Sequence, residues 1–188
     1  MAGFSFFPMI DRVIVIIDGS NLYHKLKSLK IHRSLMFSYK NFVKFLVGKR
    51  KLLKTIYYIG TIRTKNNTEK ELRLKKGQLT LFNHLLNQKI IIEKGFLLAD
   101  KEGHYHEKGV DVKMAVDLLI GAYEDTYDAA ILISSDTDLI PAIKKIREKG
   151  KKLEYIGFQN QPSRAIRRYA TTTKLLTKEQ VEKFSATR

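Results

Sequence analysis

Two aspartates separated by one residue stand where an apolar run ends: residues 130–140 read AILISSDTDLI, so Asp136 and Asp138 follow it directly. Two further acids hold comparable places. Asp18 follows RVIVII in the stretch VIIDGSN, and Asp111 opens an apolar segment in KGVDV. Carboxylates at the ends of buried elements do one of two things. They cap helix N-termini, where an oxygen accepts from an exposed backbone amide, or they gather around a cation. Taken singly, each acid is served by the first. Asp18 precedes a segment starting at Ser20, which could itself be the cap. Asp136 or Asp138 precedes the helix that runs to Gly150, with Pro141 tolerated in its first turn. Asp111 lies in a first turn, where negative charge gains about 0.3–1 kcal/mol. Taken together they are harder to place, because one helix end needs one cap and residues 134–138 offer two carboxylates. Four carboxylates in one pocket repel each other unless protonated or neutralised. A carboxylate-only set suits hard ions such as Mg²⁺ or Mn²⁺.

Whether the four meet depends on the elements that carry them. Residues 12–17, 54–60, 89–95, 129–134 and 151–158 read as five strands rich in Val, Ile and aromatic residues. Segments 20–29, 38–47, 67–88, 109–124, 138–150 and 162–170 read as helices, the long third one with a candidate break at Gly77. Continuous β-branched runs such as RVIVII suit strands buried on both faces. Strands alternating with helices at this spacing argue a parallel, doubly wound α/β sheet with helices on both sides. Ligands bind such sheets beyond the carboxyl ends of the strands. The acids follow the first and fourth strands and open one intervening helix, which should bring them to one edge. Asp117, six residues beyond Asp111, does not share its helix face and reads as an i,i+4 partner of Lys113. The HYHEK run at 104–108, with His104 and His106, reads as a polar loop. Tyr57, Tyr58, Phe42 and Phe45 read as core.

Charge is the other strong signal. The 188 residues carry 35 Lys and Arg against 19 Asp and Glu, a formal net charge of +16. Such a field attracts polyanions, nucleic acid first. The basic residues cluster in GKRKLLK (48–54), RLKKG (73–77), KKIREKGKK (144–152) and RAIRRY (164–169). Arg164, Arg167 and Arg168 at i, i+3 and i+4 share one helix face. The absence of cysteine excludes disulfides and thiolate-bound zinc. No run approaches the ~20 apolar residues of a membrane span. Residues 1–11 read as a lead-in to the first strand and 171–188 as a polar tail. The expected location is cytoplasmic.

The blocks VIIDGSNLY (15–23), KGVDVKMAVDLLIGA (108–122) and ILISSDTDLIPAIKKIREKGKKLEYIGF (131–158) resemble the three motif blocks of the NYN domain, in its LabA-like branch of the PIN-like nuclease superfamily. The likeness spans residues 12–170, in the family's order. Ser135 departs from the Gly common before the first acid of the third block. The resemblance implies a Rossmann-like, three-layer sandwich with a central parallel sheet of strand order 3-2-1-4-5. It implies a Mg²⁺- or Mn²⁺-dependent endoribonuclease whose metal and catalytic residues are Asp18, Asp111, Asp136 and Asp138. Ser20, Asn21 and the three arginines of 164–168 are the expected substrate contacts. RNA is the expected partner, with DNA and a homodimer left open. Two other functions compete: a non-catalytic RNA-binding or regulatory module, and a small-molecule phosphohydrolase on a similar sheet. The second is weakened by Ser20 standing where an aspartyl-nucleophile enzyme places its second acid.

Overall fold

Period-two alternation in the first strand sets up two cores. In the computed structural model, which describes residues 11–31, 37–62, 68–99 and 105–185, strand β1 (Arg12–Asp18) sends Val13, Val15 and Ile17 to one face and Ile14 and Ile16 to the other. On the first face lie α1 (Gly19–Ser28), α2 (Tyr39–Val47), α3 (Glu69–Asn87) and α7 (Lys178–Glu182), packing Leu22, Leu26, Phe42, Leu85 and Val181. On the second lie α4 (Val110–Tyr123), α5 (Ile140–Glu148) and α6 (Arg164–Tyr169), packing Met114, Leu118, Ile143, Ile146 and Ile166. Among the described residues no helix is long and apolar enough to cross a membrane.

The sheet between these layers has seven strands in the order β4-β3-β2-β1-β5-β6-β7. The other strands are β2 (Lys51–Ile62), β3 (Ile91–Ala99), β4 (Tyr105–Lys108), β5 (Ala129–Ile133), β6 (Lys152–Phe158) and β7 (Thr172–Leu176). This differs from the expected 3-2-1-4-5. The five strands read from the sequence are β1, β2, β3, β5 and β6, and two more extend the sheet at its edges. One of these, β4, runs antiparallel to β3, so the sheet is mixed and not all parallel. Both additions are edge strands, reading YHEK and TTKLL, and an edge strand does not require a continuous apolar run.

The described part of HYHEK, expected as a loop, is β4, with His106 opposite Leu98; His104 lies outside the described residues. The segment after residue 170, expected as a polar tail, holds β7 and α7. Its threonines pair with β6, while Leu176, Val181 and Phe184 join the first core. Tyr57, Tyr58 and Phe42 are buried as expected, whereas Phe45 is partly exposed beneath the Lys174 ammonium, 3.9 Å from its ring centroid. Gly150 ends the α5 region as expected, at φ +76°.

Helix α3 shows no break at Gly77. It starts at a capping box in which the Thr68 side chain and Glu71 serve each other's backbone amides, and it continues to Asn87. Gly77 sits in mid-helix, and nothing lies within 4 Å of where its Cβ would stand. Packing does not require a glycine there, and glycine is about 1 kcal/mol less favourable than alanine in a helix interior. Gly77→Ala should therefore raise the melting temperature by roughly 2–4 °C, measured by thermal unfolding beside the wild type.

Candidate active site

The carboxyl edge of the sheet is built from the first motif outward. Asp18 is the last residue of β1, and Gly19 starts α1 at once. A Cβ at Gly19 would stand 2.3 Å from the Tyr57 ring and 2.7 Å from the Tyr58 carbonyl, so only glycine lets the helix begin this close to β2. Asp18 is 5% exposed. Its Oδ1 accepts the Asn21 amide at 2.9 Å, which makes it the cap of α1. Its Oδ2 accepts the Ser134 hydroxyl at 2.8 Å. Ser134 follows β5, the neighbour of β1 in the sheet. Its hydroxyl in turn accepts the Asp136 amide at 3.1 Å, and Asp136 Oδ1 accepts the Asp138 amide at 2.8 Å. Asp136 thus caps a 3-10 turn, Thr137–Leu139, that leads into α5. Asp138 makes no cap bond: α5 starts without one, with proline in its first turn.

The third arm comes from β4 and α4. Gly109, at φ +78°, turns the chain between them, placing Glu107 on one side of the turn and Asp111 on the other. Glu107 Oε2 accepts the Ser20 hydroxyl at 2.9 Å and the Gly60 amide at 2.7 Å. The sequence offered little sign of it. Glu107 lay in a polar run read as loop, and its role depends on a short edge strand.

The electrostatics tie these acids together. Burial, first of all, pushes the Asp18 carboxyl up to about 6, against the lowering effect of its two hydrogen bonds, and repulsion from Glu107 and Asp111 adds to the rise. Burial also raises Asp111, followed by repulsion from Asp136, Glu107 and Asp138. The four acids expected from the sequence, and Glu107 with them, therefore act on one another at one edge. None of the five is ion-paired with a described lysine or arginine. Their oxygen donors have the chemistry that hard divalent ions take. In this conformation, however, no group of three or more acids or histidines among the described residues is arranged to hold a metal ion.

The remaining expected residues fall in two places. Ser20 and Asn21 lie in the first turn of α1, beside Asp18. Arg164, Arg167 and Arg168 are exposed on α6. The α6 cap residue Ser163 donates its amide to the Tyr155 hydroxyl at 3.0 Å, and that hydroxyl contacts Ser135 at 3.4 Å. This links the α6 start to the loop that carries Asp136. Asp117 stands apart. It accepts the Tyr58 hydroxyl at 2.7 Å instead of pairing with Lys113, which pairs with Glu93 on β3.

The NYN domain family model matches residues 12–176. The chain belongs to the NYN domain family. NYN domains are part of the PIN-like nuclease superfamily, and the helices on both faces of the sheet fit a PIN-like layered sandwich. An uncharacterised protein of Methanocaldococcus jannaschii is 38% identical over 61 residues, which cover 32% of this chain and 25% of that protein; the chain thus spans about a quarter of that relative's length. The crystal structure of a protein of unknown function from Vibrio parahaemolyticus is similar with a TM-score of 0.65 at 18% identity, covering 90% of this chain and 95% of that one. That likeness bears on the fold alone.

A raised carboxyl has a definite consequence for stability. The folded NYN domain holds the Asp18 proton more tightly (about 6) than an unfolded chain does (~3.9). The stability linked to this group is full below about pH 4 and is lost as pH rises through about 6. Asp18→Asn should remove that loss, roughly 1–3 kcal/mol between pH 4 and 7. Urea melts of both proteins across this range, without added metal, measure the difference. Parallel pH profiles would show that Asp18 ionises as an ordinary surface acid.

Proposed function

We propose that this NYN domain, of the LabA-like branch, is a divalent-metal-dependent endoribonuclease that acts at the carboxyl edge of its sheet. The observation that carries the reading is a buried Asp18 carboxyl, raised first by burial and then by Glu107 and Asp111, beside an Asp111 raised first by burial and then by Asp136, Glu107 and Asp138. Mutually repelling carboxylates at a strand end are stable as a set when a cation joins them. Family membership in a nuclease superfamily and the +16 charge support the same substrate class, RNA.

Asp18, Asp111 and Asp136 would hold Mg²⁺ or Mn²⁺, with Asp138 completing the set or holding water. The chemistry a bound ion supplies is charge neutralisation and polarisation of a phosphoryl oxygen. The chain's own groups do the rest. Ser134 and the Asn21 amide fix the Asp18 carboxylate in place. Asp138, exposed and free of capping duty, can accept hydrogen bonds from water at the mouth of the site. Asn21 and Ser20 face the substrate from the start of α1. The arginines of α6 hold the phosphate chain, and as cations they offset the acids that would otherwise repel it. A non-catalytic RNA-binding module is the second reading. It is favoured by the lack, among the described residues, of three acids or histidines arranged to hold a metal ion in this conformation.

The two readings part at Asp136. Asparagine caps about as well as aspartate, so Asp136→Asn keeps the 3-10 turn and the fold. A nuclease should lose cleavage of single-stranded RNA in Mg²⁺ or Mn²⁺ by about 100-fold or more, with RNA binding kept or tightened. A wild type that binds RNA and never cuts it, whatever the ion, would establish the binding module instead.

The arginine face has its own test. Replacing Arg164, Arg167 and Arg168 together by Glu should weaken RNA binding and flatten its salt dependence, because fewer phosphates are neutralised and fewer counterions released. Filter binding across a salt series reads both. An unchanged slope would put α6 outside the RNA path.

A further inference from the structure

Beside the acids, a cavity of about 860 Å³ opens between α1, α3 and the ends of β2 and β3. Its walls include Tyr23, His24, Leu74, Leu81, Leu97 and Glu107. Two of its lining residues, Ser20 and Glu107, are hydrogen-bonded to each other, and Glu107 also acts on Asp18 and Asp111. The cavity and the acid cluster are thus neighbouring compartments with Glu107 as their partition. The α3 wall contains Gly77, the mid-helix glycine whose Cβ would meet nothing. Neither packing nor backbone conformation explains that residue. A side chain at 77 would meet only the open space that Gly77 lines.

We propose that this cavity receives an unstacked nucleobase of single-stranded RNA, from a nucleotide next to the phosphate held at the acids. The assignment rests on the nuclease reading above and adds where the base goes. Three features select this occupant. The compartment adjoins the acids, since Gly19, which follows Asp18, and Glu107 both line it. Its walls are largely apolar, with the half-exposed Tyr23 ring (48%) set edge-on to His24 at 5.5 Å; aromatic faces of this kind stack bases with little sequence preference. Arg73, paired with Glu69 one turn away, lines it, and the helix that forms this wall also exposes Lys70, Lys75 and Lys76. This suits an apolar, planar group carried on an anionic chain. A base-paired strand would first have to unstack, so single strands are preferred.

The test uses the full chain and four nucleoside monophosphates as probes, followed by NMR shift mapping, together with cleavage kinetics on a single-stranded RNA oligonucleotide. Gly77→Leu fills the cavity wall while favouring the helix, so its melting temperature should equal or exceed that of the wild type. It should weaken mononucleotide binding and raise KM for the oligonucleotide at least tenfold, with the larger part of the loss in kcat/KM lying in KM. Tyr23→Ala, at an exposed position, should weaken mononucleotide binding about tenfold. In the wild type the amides of Tyr23 and Gly77 should shift on titration. If Gly77→Leu folds and both its mononucleotide affinity and its KM match the wild type, the cavity is not a base site and the nuclease reading stands. If the wild type cuts no RNA, the nuclease reading falls. The mononucleotide arm then decides the pocket alone: shifts at Tyr23 and Gly77 support it, and their absence overturns it.

Discussion

A carboxylate held almost out of water governs this molecule. Asp18 ends a strand covered on both faces, so its charge cannot be screened from below. Two hydrogen bonds, from the Asn21 amide and the Ser134 hydroxyl, favour the ionised form, yet burial outweighs them and the carboxyl remains raised. These bonds also join three elements. One starts α1, and the other ties β1 to the residue after β5, from which a chain of contacts passes to Asp136 and Asp138. The group that is hardest to bury is thus the one that sets the positions of its neighbours. A protein that only needed to close a strand–helix turn would use serine or asparagine for the cap and avoid the charge.

The net positive charge and the acidic edge are complementary. Lysine and arginine outnumber the acids 35 to 19, and five of those acids act on one another at the carboxyl edge of the sheet. An anionic polymer drawn in by the long-range field meets a cluster of carboxylates, without ion pairs among the described residues, at the carboxyl edge of the sheet. There the repulsion that adds to burial in raising Asp18 and Asp111 is the same repulsion a substrate phosphate would feel. Under the proposed metal-dependent reading, one cation would relieve both.

What could be read from the sequence follows the physics of each element. The inner strands were legible because burial on both faces demands continuous aliphatic runs, and RVIVII and AAILI supply them. The four aspartates were legible because each sits at an element end. The edge strands were not. β7 reads Thr-Thr-Lys-Leu-Leu and β4 Tyr-His-Glu-Lys, neither a continuous aliphatic run, and an edge strand needs none because one side faces water. Missing β4 also hid Glu107, whose position at the site depends on the antiparallel return from β3 and the positive-φ turn at Gly109. Gly77 looked like a helix breaker, since its meaning lies in the empty space beside it, and a sequence does not record that. Asp117 was misread for a related reason: its partner Tyr58 comes from a different element, whereas the i,i+4 rule sees only its own helix.

Capping and cation binding, set against each other as readings of the sequence, turn out to be compatible uses of one side chain. A carboxylate has two oxygens with about four acceptor positions between them. Asp136 uses Oδ1 for the Asp138 amide, and no described residue donates to its other oxygen. Asp18 uses one position on each oxygen and keeps the rest. The cap bonds fix the direction in which the remaining lone pairs point, and so a cap becomes the means by which a helix start aims a ligand. Asp138 and Asp111 show the other half of the argument. Neither caps a helix through its side chain; each only places its charge in a first turn, a gain of about 0.3–1 kcal/mol. The pattern at residues 134–138 therefore reads as one orienting carboxylate followed by one left over, and it is the surplus acid, more than the cap, that marks this edge of the sheet for chemistry.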